Sequence, residues 1–242
     1  MIKRSSKKYI DNLLDNNAEW KILDIGCGYT AHKKASVICD VQDLSSFYKD
    51  KKFIKLDNDV LPFQDKEFDF VIASHVIEHV KDVNSFIKEL ERVSKKGYIE
   101  LPTILEDNLV FENKNDHLWH MEFDDIENKL LVSKKIQYFE PMITVSTIKE
   151  FSKYFRQSLI IELYWENSIE FSLIEKKLDN MKKFSRLTLV RKFFSKLLRS
   201  LFRYFYFLKL IPFSSRIFLS SPFSYISFTM SHPPIHSFLI YS

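Results

Sequence analysis

The sequence predicts an α/β fold: a doubly wound, mostly parallel sheet of seven strands, followed by a basic amphipathic helical tail. Five strand-length apolar runs fall within about the first hundred residues, a rhythm typical of a parallel sheet. A glycine pair directly follows the first run, as at a ligand-binding strand end. All 32 acidic residues lie at or before Asp179. Together these observations predict one domain over residues 1–178 and a distinct tail over residues 179–242.

Each candidate strand is a short apolar segment. They are Lys21–Ile25, Ser36–Asp40, Lys52–Leu56, Phe68–Ala73 and Gly97–Leu101. Apolar residues at helical spacing predict one helix over Ser5–Asn17 and another from Val83 to Val93, which Gly97 helps to stop.

The chain after residue 102 is less regular. Residues 103–146 are predicted to form an insertion over the mouth of the sheet, with the polar and aromatic cluster Asp116–Met121 as a substrate lid or a packed aromatic plug. Thr147–Arg156 is predicted as a helix. Ser158–Trp165 and Ser168–Ile174 are predicted as a terminal antiparallel hairpin.

Charge is strongly segregated along the chain. Residues 1–179 hold 26 basic and 32 acidic residues, whereas residues 180–242 hold ten basic residues and no acid. Cys27 and Cys39 lack metal-site spacing, so we expect no disulfide framework, no zinc knuckle and a reducing compartment. The basic N-terminal residues precede no apolar run, so we expect a cytoplasmic protein.

The glycine pair carries the strongest chemical signal. The chain has three glycines, and Gly26 and Gly28 flank Cys27 directly after the first strand. Such a turn allows a nucleotide to approach the backbone, although it can also be a tight turn without a ligand. Residues 26–31 fit the G-x-G-x-x-A dinucleotide pattern, but the carboxylate of Asp24 would repel a diphosphate and attract a cationic sulfonium cofactor. Thr30–Ala35 is also too short for the helix whose N-terminus should hold a diphosphate.

These residues resemble a known family. Leu23–Gly28 is similar to the first motif of the class I methyltransferases, specifically the type 11 group. Asp57–Phe63 resembles the adenine-binding segment of that family, Phe68–Val80 its fourth strand and following helix, and Gly97–Pro102 its fifth strand. The resemblance covers residues 20–102 and implies S-adenosyl-L-methionine as the cofactor. It departs from the family pattern at Thr30, which replaces a third glycine.

The cofactor-binding residues that we predict lie on the loop and at strand ends. They are Asp24, Gly26, Cys27, Gly28, Asp40, Asp57, Asn58 and Ser74. By resemblance, Asp40 is the acid that binds the ribose hydroxyls, with Asp43 as the alternative. Methyl transfer often needs a base, and the candidate catalytic residues are His75, Glu100 and His120, with His117 and Trp119 beside them.

One motif points to different chemistry. His75-Val76-Ile77-Glu78-His79 matches the H-x-x-E-H pattern of some zinc proteases. The motif follows a predicted strand, and the sequence defines no third ligand, so we expect no metal site. A purely structural role for His79 is the simpler interpretation.

The tail has two faces. Between residues 187 and 208, an aromatic and aliphatic stripe alternates with basic residues, as in helices that lie on anionic membranes. The alternative is that the tail packs on the acidic surface of the domain. Binding of the tail to nucleic acid is disfavoured, and its charged residues exclude a membrane-spanning helix. We therefore expect a cytoplasmic protein that can lie on the inner membrane face.

The predicted reaction is methyl transfer to a small-molecule or glycan or lipid-linked acceptor. Two alternatives remain open at this point. One is a non-catalytic cofactor-binding or membrane-associated protein, and the other is an NAD-dependent oxidoreductase.

Overall fold

The computed structural model describes residues 1–58, 60–176 and 185–207. Its strands are β1 (Ile2–Arg4), β2 (Ile22–Ile25), β3 (Val37–Asp40), β4 (Lys52–Lys55), β5 (Phe70–Ser74), β6 (Lys96–Pro102), β7 (Trp119–Asp124), β8 (Lys129–Lys134), β9 (Ile160–Glu166) and β10 (Phe171–Leu173). Its α-helices are α1 (Lys7–Asp15), α2 (Val83–Val93), α3 (Ile104–Leu109), α4 (Asn113–Asp116), α5 (Val145–Leu159) and α6 (Arg186–Phe207), and a 3₁₀ turn spans Ile77–His79.

The large sheet has seven strands in the order β1-β9-β6-β5-β2-β3-β4. Strands β2 to β6 are parallel to their neighbours, whereas β9 runs antiparallel to β6 and β1 antiparallel to β9. The predicted doubly wound, mostly parallel seven-stranded fold is therefore confirmed. Strand β1 escaped prediction because three residues are too few to show an alternating pattern.

Side chains alternate between two cores, one on each face of the sheet. Leu23 and Ile25 of β2 lie in the core that contains α2, whereas Ile22 lies in the core that contains α1. The period of two along a strand sends neighbours to opposite faces. Helices therefore cover both faces, and the carboxyl ends of the parallel strands meet at one edge, where the candidate site lies.

Gly97 has a different role from the one predicted. Helix α2 ends at Val93 with Ser94 as its C-cap, and Gly97 lies inside β6. A Cβ atom at Gly97 would lie 2.5 Å from Trp165 Nε1 and 2.6 Å from the Val71 carbonyl oxygen. The glycine is required by close packing within the sheet, not by the end of the helix.

The predicted terminal hairpin is wrong. Strand β9 pairs with β6 and β1, whereas β10 joins a second, three-stranded sheet of order β10-β8-β7, where it runs parallel to β8. Only the bridge between Glu166 and Ser168 follows the expected pairing. Ile169 then enters the core beside α2, and its backbone N–H donates to Glu91 Oε1 at 2.6 Å. This anchor directs the chain away from β9.

The chain divides into two units at Leu189, and the second begins at Val190 within α6. The predicted boundary at residue 178 stays a prediction, because residues 177–184 lie outside the described ranges. Within the described ranges, no helix combines the length and the apolar character that crossing a bilayer requires.

Candidate active site

Residues 26–36 connect β2 to β3 without forming a helix, and we call them the cofactor loop. Gly26 and Gly28 have φ of +64° and +48°, a backbone region that favours glycine. The N–H of Gly26 donates to the Cys39 carbonyl at 2.8 Å, which ties the loop to β3. A Cβ atom at Gly28 would meet nothing within 4 Å, so the loop has open space beside that residue.

Asp24 is the buried carboxylate of the cofactor loop region. Its Oδ2 accepts a hydrogen bond from the His32 backbone N–H at 2.6 Å. Burial raises the pKa of Asp24 to about 6, and that hydrogen bond only partly opposes the rise. The carboxylate is therefore short of favourable partners, and an ammonium group would stabilise its charge.

Asp40 ends β3 and supports the cofactor loop directly. Its Oδ2 accepts from the Gly28 N–H and its Oδ1 from the Gln42 N–H, each at 2.9 Å. Asp43, the alternative ribose ligand, is exposed and accepts from Ser45 instead. The structure thus brings Asp40, rather than Asp43, to the glycines.

Tyr48 is a loop residue that sequence reasoning missed. Its hydroxyl donates to the Gly28 carbonyl at 2.7 Å and accepts from the Ala31 N–H at 3.0 Å. A single tyrosine 20 residues after the glycine carries no local signal of this contact. Cys27, by contrast, is chemically inert, because burial raises the pKa of its thiol to about 12.

Asp57 and Asn58 follow β4 at the same edge of the sheet, and both are exposed. Asp57 forms an ion pair with Lys55 at 2.8 Å, and its side chain is 71% exposed. Their predicted contact with the adenine stays a prediction.

The end of β5 bears an unusual backbone. Ser74 pairs with Glu100 across the sheet, and His75 follows with φ of +55°. Left-handed backbone at a residue other than glycine is strained and often marks a functional position. The His75 ring is 40% exposed, and its Nδ1 lies 3.2 Å from Glu78 Oε1. Burial opposes the charge on His75, but the carboxylates of Glu78, Glu100 and Glu106 together outweigh burial and raise the pKa of the imidazole.

Glu100 lies in a buried ionic network. The Tyr98 hydroxyl lies 2.8 Å from Glu100 and 2.6 Å from Glu162, and its single hydrogen can be donated to either; Arg156 forms ion pairs with both carboxylates. Both of these partners contact the same oxygen of Glu100, Oε1. Its role as a base stays a prediction, and a free carboxylate would suit that role better.

The insertion, residues 103–146, is attached to the 3₁₀ turn. The Leu118 N–H donates to the Glu78 carbonyl at 2.7 Å, and Trp119 Nε1 donates to the Val80 carbonyl at 2.8 Å. Beside these contacts lies a pocket of about 430 Å³ whose lining includes His117, Trp119 and Lys134. The sequence-predicted cluster therefore lies where the insertion meets the end of β5.

A buried aspartate organises the insertion. Asp107 is 1% exposed, and it lies 2.7 Å from His117 Nδ1, 2.8 Å from His120 Nε2 and 2.9 Å from Lys135 Nζ. Burial favours its neutral form, but these three contacts outweigh burial and hold the pKa of Asp107 well below its usual range. His120, predicted as a catalytic candidate, is thus an ion-pair partner in the interior. Sequence reasoning missed Asp107 and Lys135, because nothing local links residues so far apart.

A family comparison identifies the domain. Residues 23–99 match the family model described as "Methyltransferase domain", of type 11. The match covers about a third of the chain, and it supports an S-adenosylmethionine-dependent methyltransferase domain at these residues. This match supports the predicted enzyme class and the predicted cofactor, S-adenosyl-L-methionine.

Individual relatives are distant. An uncharacterized protein of Methanocaldococcus jannaschii is 28% identical over 63% of this chain and 71% of its own length. A ubiquinone biosynthesis O-methyltransferase of Pelagibacter ubique is 32% identical over 40% of this chain and 43% of its own length. The structure of an S-adenosylmethionine-dependent methyltransferase from Mesorhizobium loti aligns with a TM-score of 0.32 at 19% identity, covering 37% of this chain and 50% of that one. The chain thus spans half or less of the latter two relatives.

Proposed function

We propose that this methyltransferase transfers the methyl group of S-adenosylmethionine to a small-molecule, glycan or lipid-linked acceptor, and that Asp24 receives the amino group of the cofactor. The observation that carries the cofactor assignment is the buried carboxylate of Asp24 next to a glycine loop that opens into no helix. A diphosphate would find repulsion and no helix N-terminus there, which disfavours the NAD alternative.

The test begins with calorimetric titration of S-adenosylhomocysteine, with NADH as the comparison ligand. Binding of S-adenosylhomocysteine alone supports the proposal, and binding of NADH alone overturns it. Methyl-labelled S-adenosylmethionine is then supplied with cell extracts separated into water-soluble and organic-solvent fractions. Label that enters either fraction with the wild type, and not with Asp24→Asn, supports turnover. Cofactor binding without transfer to any fraction would favour the non-catalytic alternative.

We also propose that α6 binds anionic membrane surfaces. Its apolar side chains are exposed in the described part of the chain; they are Leu187, Val190, Phe193, Phe194, Leu197, Leu198, Leu201 and Phe202. At about 100° per residue, Lys192, Lys196, Arg199 and Arg203 lie on the opposite side of the helix. Such a helix can insert its apolar face between lipids while its cations contact anionic headgroups. The remainder of the predicted tail, residues 208–242, lies outside the described residues.

Liposome sedimentation tests this attachment with the full chain. We expect binding to vesicles that contain phosphatidylglycerol, and little binding to pure phosphatidylcholine vesicles. Replacing Lys192, Lys196, Arg199 and Arg203 by glutamine should weaken binding to the anionic vesicles by up to about 1,000-fold, at roughly 1 kcal/mol per basic residue. Equal binding by this variant and the wild type would overturn the proposal.

A further inference from the structure

Three potential metal ligands meet where the insertion joins the 3₁₀ turn. One ligand atom each from Glu78, His79 and His117 can be chosen so that all lie within 4.8 Å of one another. We propose that these three side chains bind one divalent metal ion of the zinc class. The H-x-x-E-H pattern supplies two of the ligands, and the fold supplies the third from a segment 38 residues beyond His79, which the sequence alone could not place.

Glu78 is a buried carboxylate with one oxygen unpartnered in the described part of the chain. Its side chain is fully buried, with 0% exposure. Oε1 lies 3.2 Å from His75 Nδ1, but Oε2 has no hydrogen-bond partner within the described residues. A buried polar atom without a partner is costly, and a buried charged oxygen more so. A metal ion at Oε2 would remove that cost.

Each histidine has one ring nitrogen against an oxygen, and for His79 this contact is the hydrogen bond typical of a metal-ligating histidine. His79 Nδ1 lies 3.0 Å from the Asp116 carbonyl oxygen, and His117 Nδ1 lies 2.7 Å from Asp107 Oδ1. Because the carbonyl oxygen can only accept, the hydrogen of the neutral His79 ring belongs on Nδ1, which leaves its Nε2 lone pair for a metal. His117 Nδ1 makes no hydrogen bond within the described residues, so its close contact with Asp107 positions the ring without fixing the tautomer. The two rings stand nearly perpendicular, at 88°, with centroids 4.5 Å apart.

The three ligand types favour zinc over Mg²⁺ and Ca²⁺. Two imidazoles and one carboxylate are a ligand set of catalytic zinc sites, which keep a further position open, whereas Mg²⁺ and Ca²⁺ prefer oxygen ligands. Ligand atoms about 2.1 Å from a tetrahedral zinc ion are about 3.4 Å apart. The observed limit of 4.8 Å means that the three ligand atoms must draw together by up to about 1.4 Å on binding.

The residue before the 3₁₀ turn packs against the cofactor loop. Val76, the residue before the 3₁₀ turn, packs so closely on Gly26 that a Cβ there would lie 2.5 Å from Val76 Cγ2. If the proposed methyl transfer holds, the open metal position suits an acceptor hydroxyl, whose pKa the metal lowers. The hydroxyl proton passes to solvent, the oxygen bonds to the methyl carbon, and the electron pair of the broken S–C bond stays on sulfur.

Zinc titration of the chelator-stripped full chain tests the site. We expect one Zn²⁺ per chain, with affinity reduced at least about tenfold in His79→Gln and in His117→Gln, since even the loss of an outer-shell partner has effects of that size. His32→Gln is the matched control, because His32 also contacts a carboxylate, that of Asp11 at 3.1 Å, but lies outside the cluster. Its zinc affinity should equal that of the wild type. No stoichiometric zinc binding, or equal binding by all variants, would overturn the proposal.

Folding and cofactor binding are measured on the same samples. His117 is buried and its loss can unfold the insertion, whereas His79 is exposed, so His79→Gln decides the outcome if His117→Gln does not fold. His79→Gln should keep its circular-dichroism spectrum and its affinity for S-adenosylhomocysteine. Wild-type protein that binds zinc but not S-adenosylhomocysteine would overturn the proposed function and support the metal site. Wild-type protein that binds S-adenosylhomocysteine but not zinc would overturn the metal site and support the proposed function.

Discussion

The cofactor loop region and the insertion each bury an aspartate, and the two carboxylates have opposite electrostatic environments. Asp24 accepts a backbone hydrogen bond and has a pKa raised to about 6 by burial. Asp107 lies against His117, His120 and Lys135, and these contacts lower its pKa despite burial. The insertion thus pairs its buried carboxylate with basic side chains, whereas the carboxylate of Asp24 has a hydrogen bond from the His32 backbone and a pKa raised by burial. The contrast predicts that Asp107 stabilises the fold, whereas Asp24 binds a ligand.

The largest effect is expected at Asp107. Asp107→Asn should lower the free energy of unfolding by about 3–5 kcal/mol, because Lys135 is left as a buried cation without its carboxylate. Urea denaturation measures this loss. The control is Asp125→Asn, which removes an exposed ion pair with Arg4 and should change stability by less than about 1 kcal/mol. Equal losses in the two variants would show that the Asp107 cluster is no more stabilising than a surface pair.

Asp24→Asn should have mixed effects. Removing a buried charge whose pKa is raised from 3.8 to about 6 should stabilise the free protein by roughly 1–3 kcal/mol at pH 7. Because the pKa is raised, the free-energy cost of ionising the buried Asp24 carboxyl is absent below about pH 4 and complete above about pH 6. The difference in stability between Asp24→Asn and the wild type should therefore vanish in acid. Affinity for S-adenosylhomocysteine should fall at least about tenfold, as expected for a lost charge-assisted contact. Asp15→Asn, at an exposed carboxylate, should change neither quantity.

The same carboxylate predicts a pH dependence of binding. An ammonium group binds the ionised form of Asp24, so affinity for S-adenosylhomocysteine should be constant above about pH 7 and fall by about tenfold per pH unit well below pH 6. Calorimetry between pH 5 and pH 8 measures the profile, and Asp24→Asn should flatten it. A wild-type profile without this fall would mean that Asp24 does not receive the amino group.

The sequence predicts the cofactor edge of this molecule far better than the insertion. Apolar runs and the glycine pair locate β2 to β6 and the loop, because those signals are local. The Asp107 cluster depends on residues 10 to 28 positions apart, which no periodic pattern joins. The predicted pairing of β10 with β9 is wrong for the same reason. The sequence of β10 specifies a strand, whereas its position beside β8 depends on tertiary packing. Glu78 and His79 were visible as a motif, but their proximity to His117 was not.

The smallest expected effect on stability concerns Gly28. Gly28→Ala should cost about 1 kcal/mol of unfolding free energy, because φ is +48° but the added methyl group meets open space. Gly26→Ala should cost more, because its φ is +64° and its Cβ would also clash with Val76. If the open space beside Gly28 is where the cofactor lies, Gly28→Ala should reduce S-adenosylhomocysteine affinity more than it reduces stability. Unchanged affinity would mean that the cofactor does not lie beside Gly28, and it would count against the open space at this end of the parallel strands as the cofactor site.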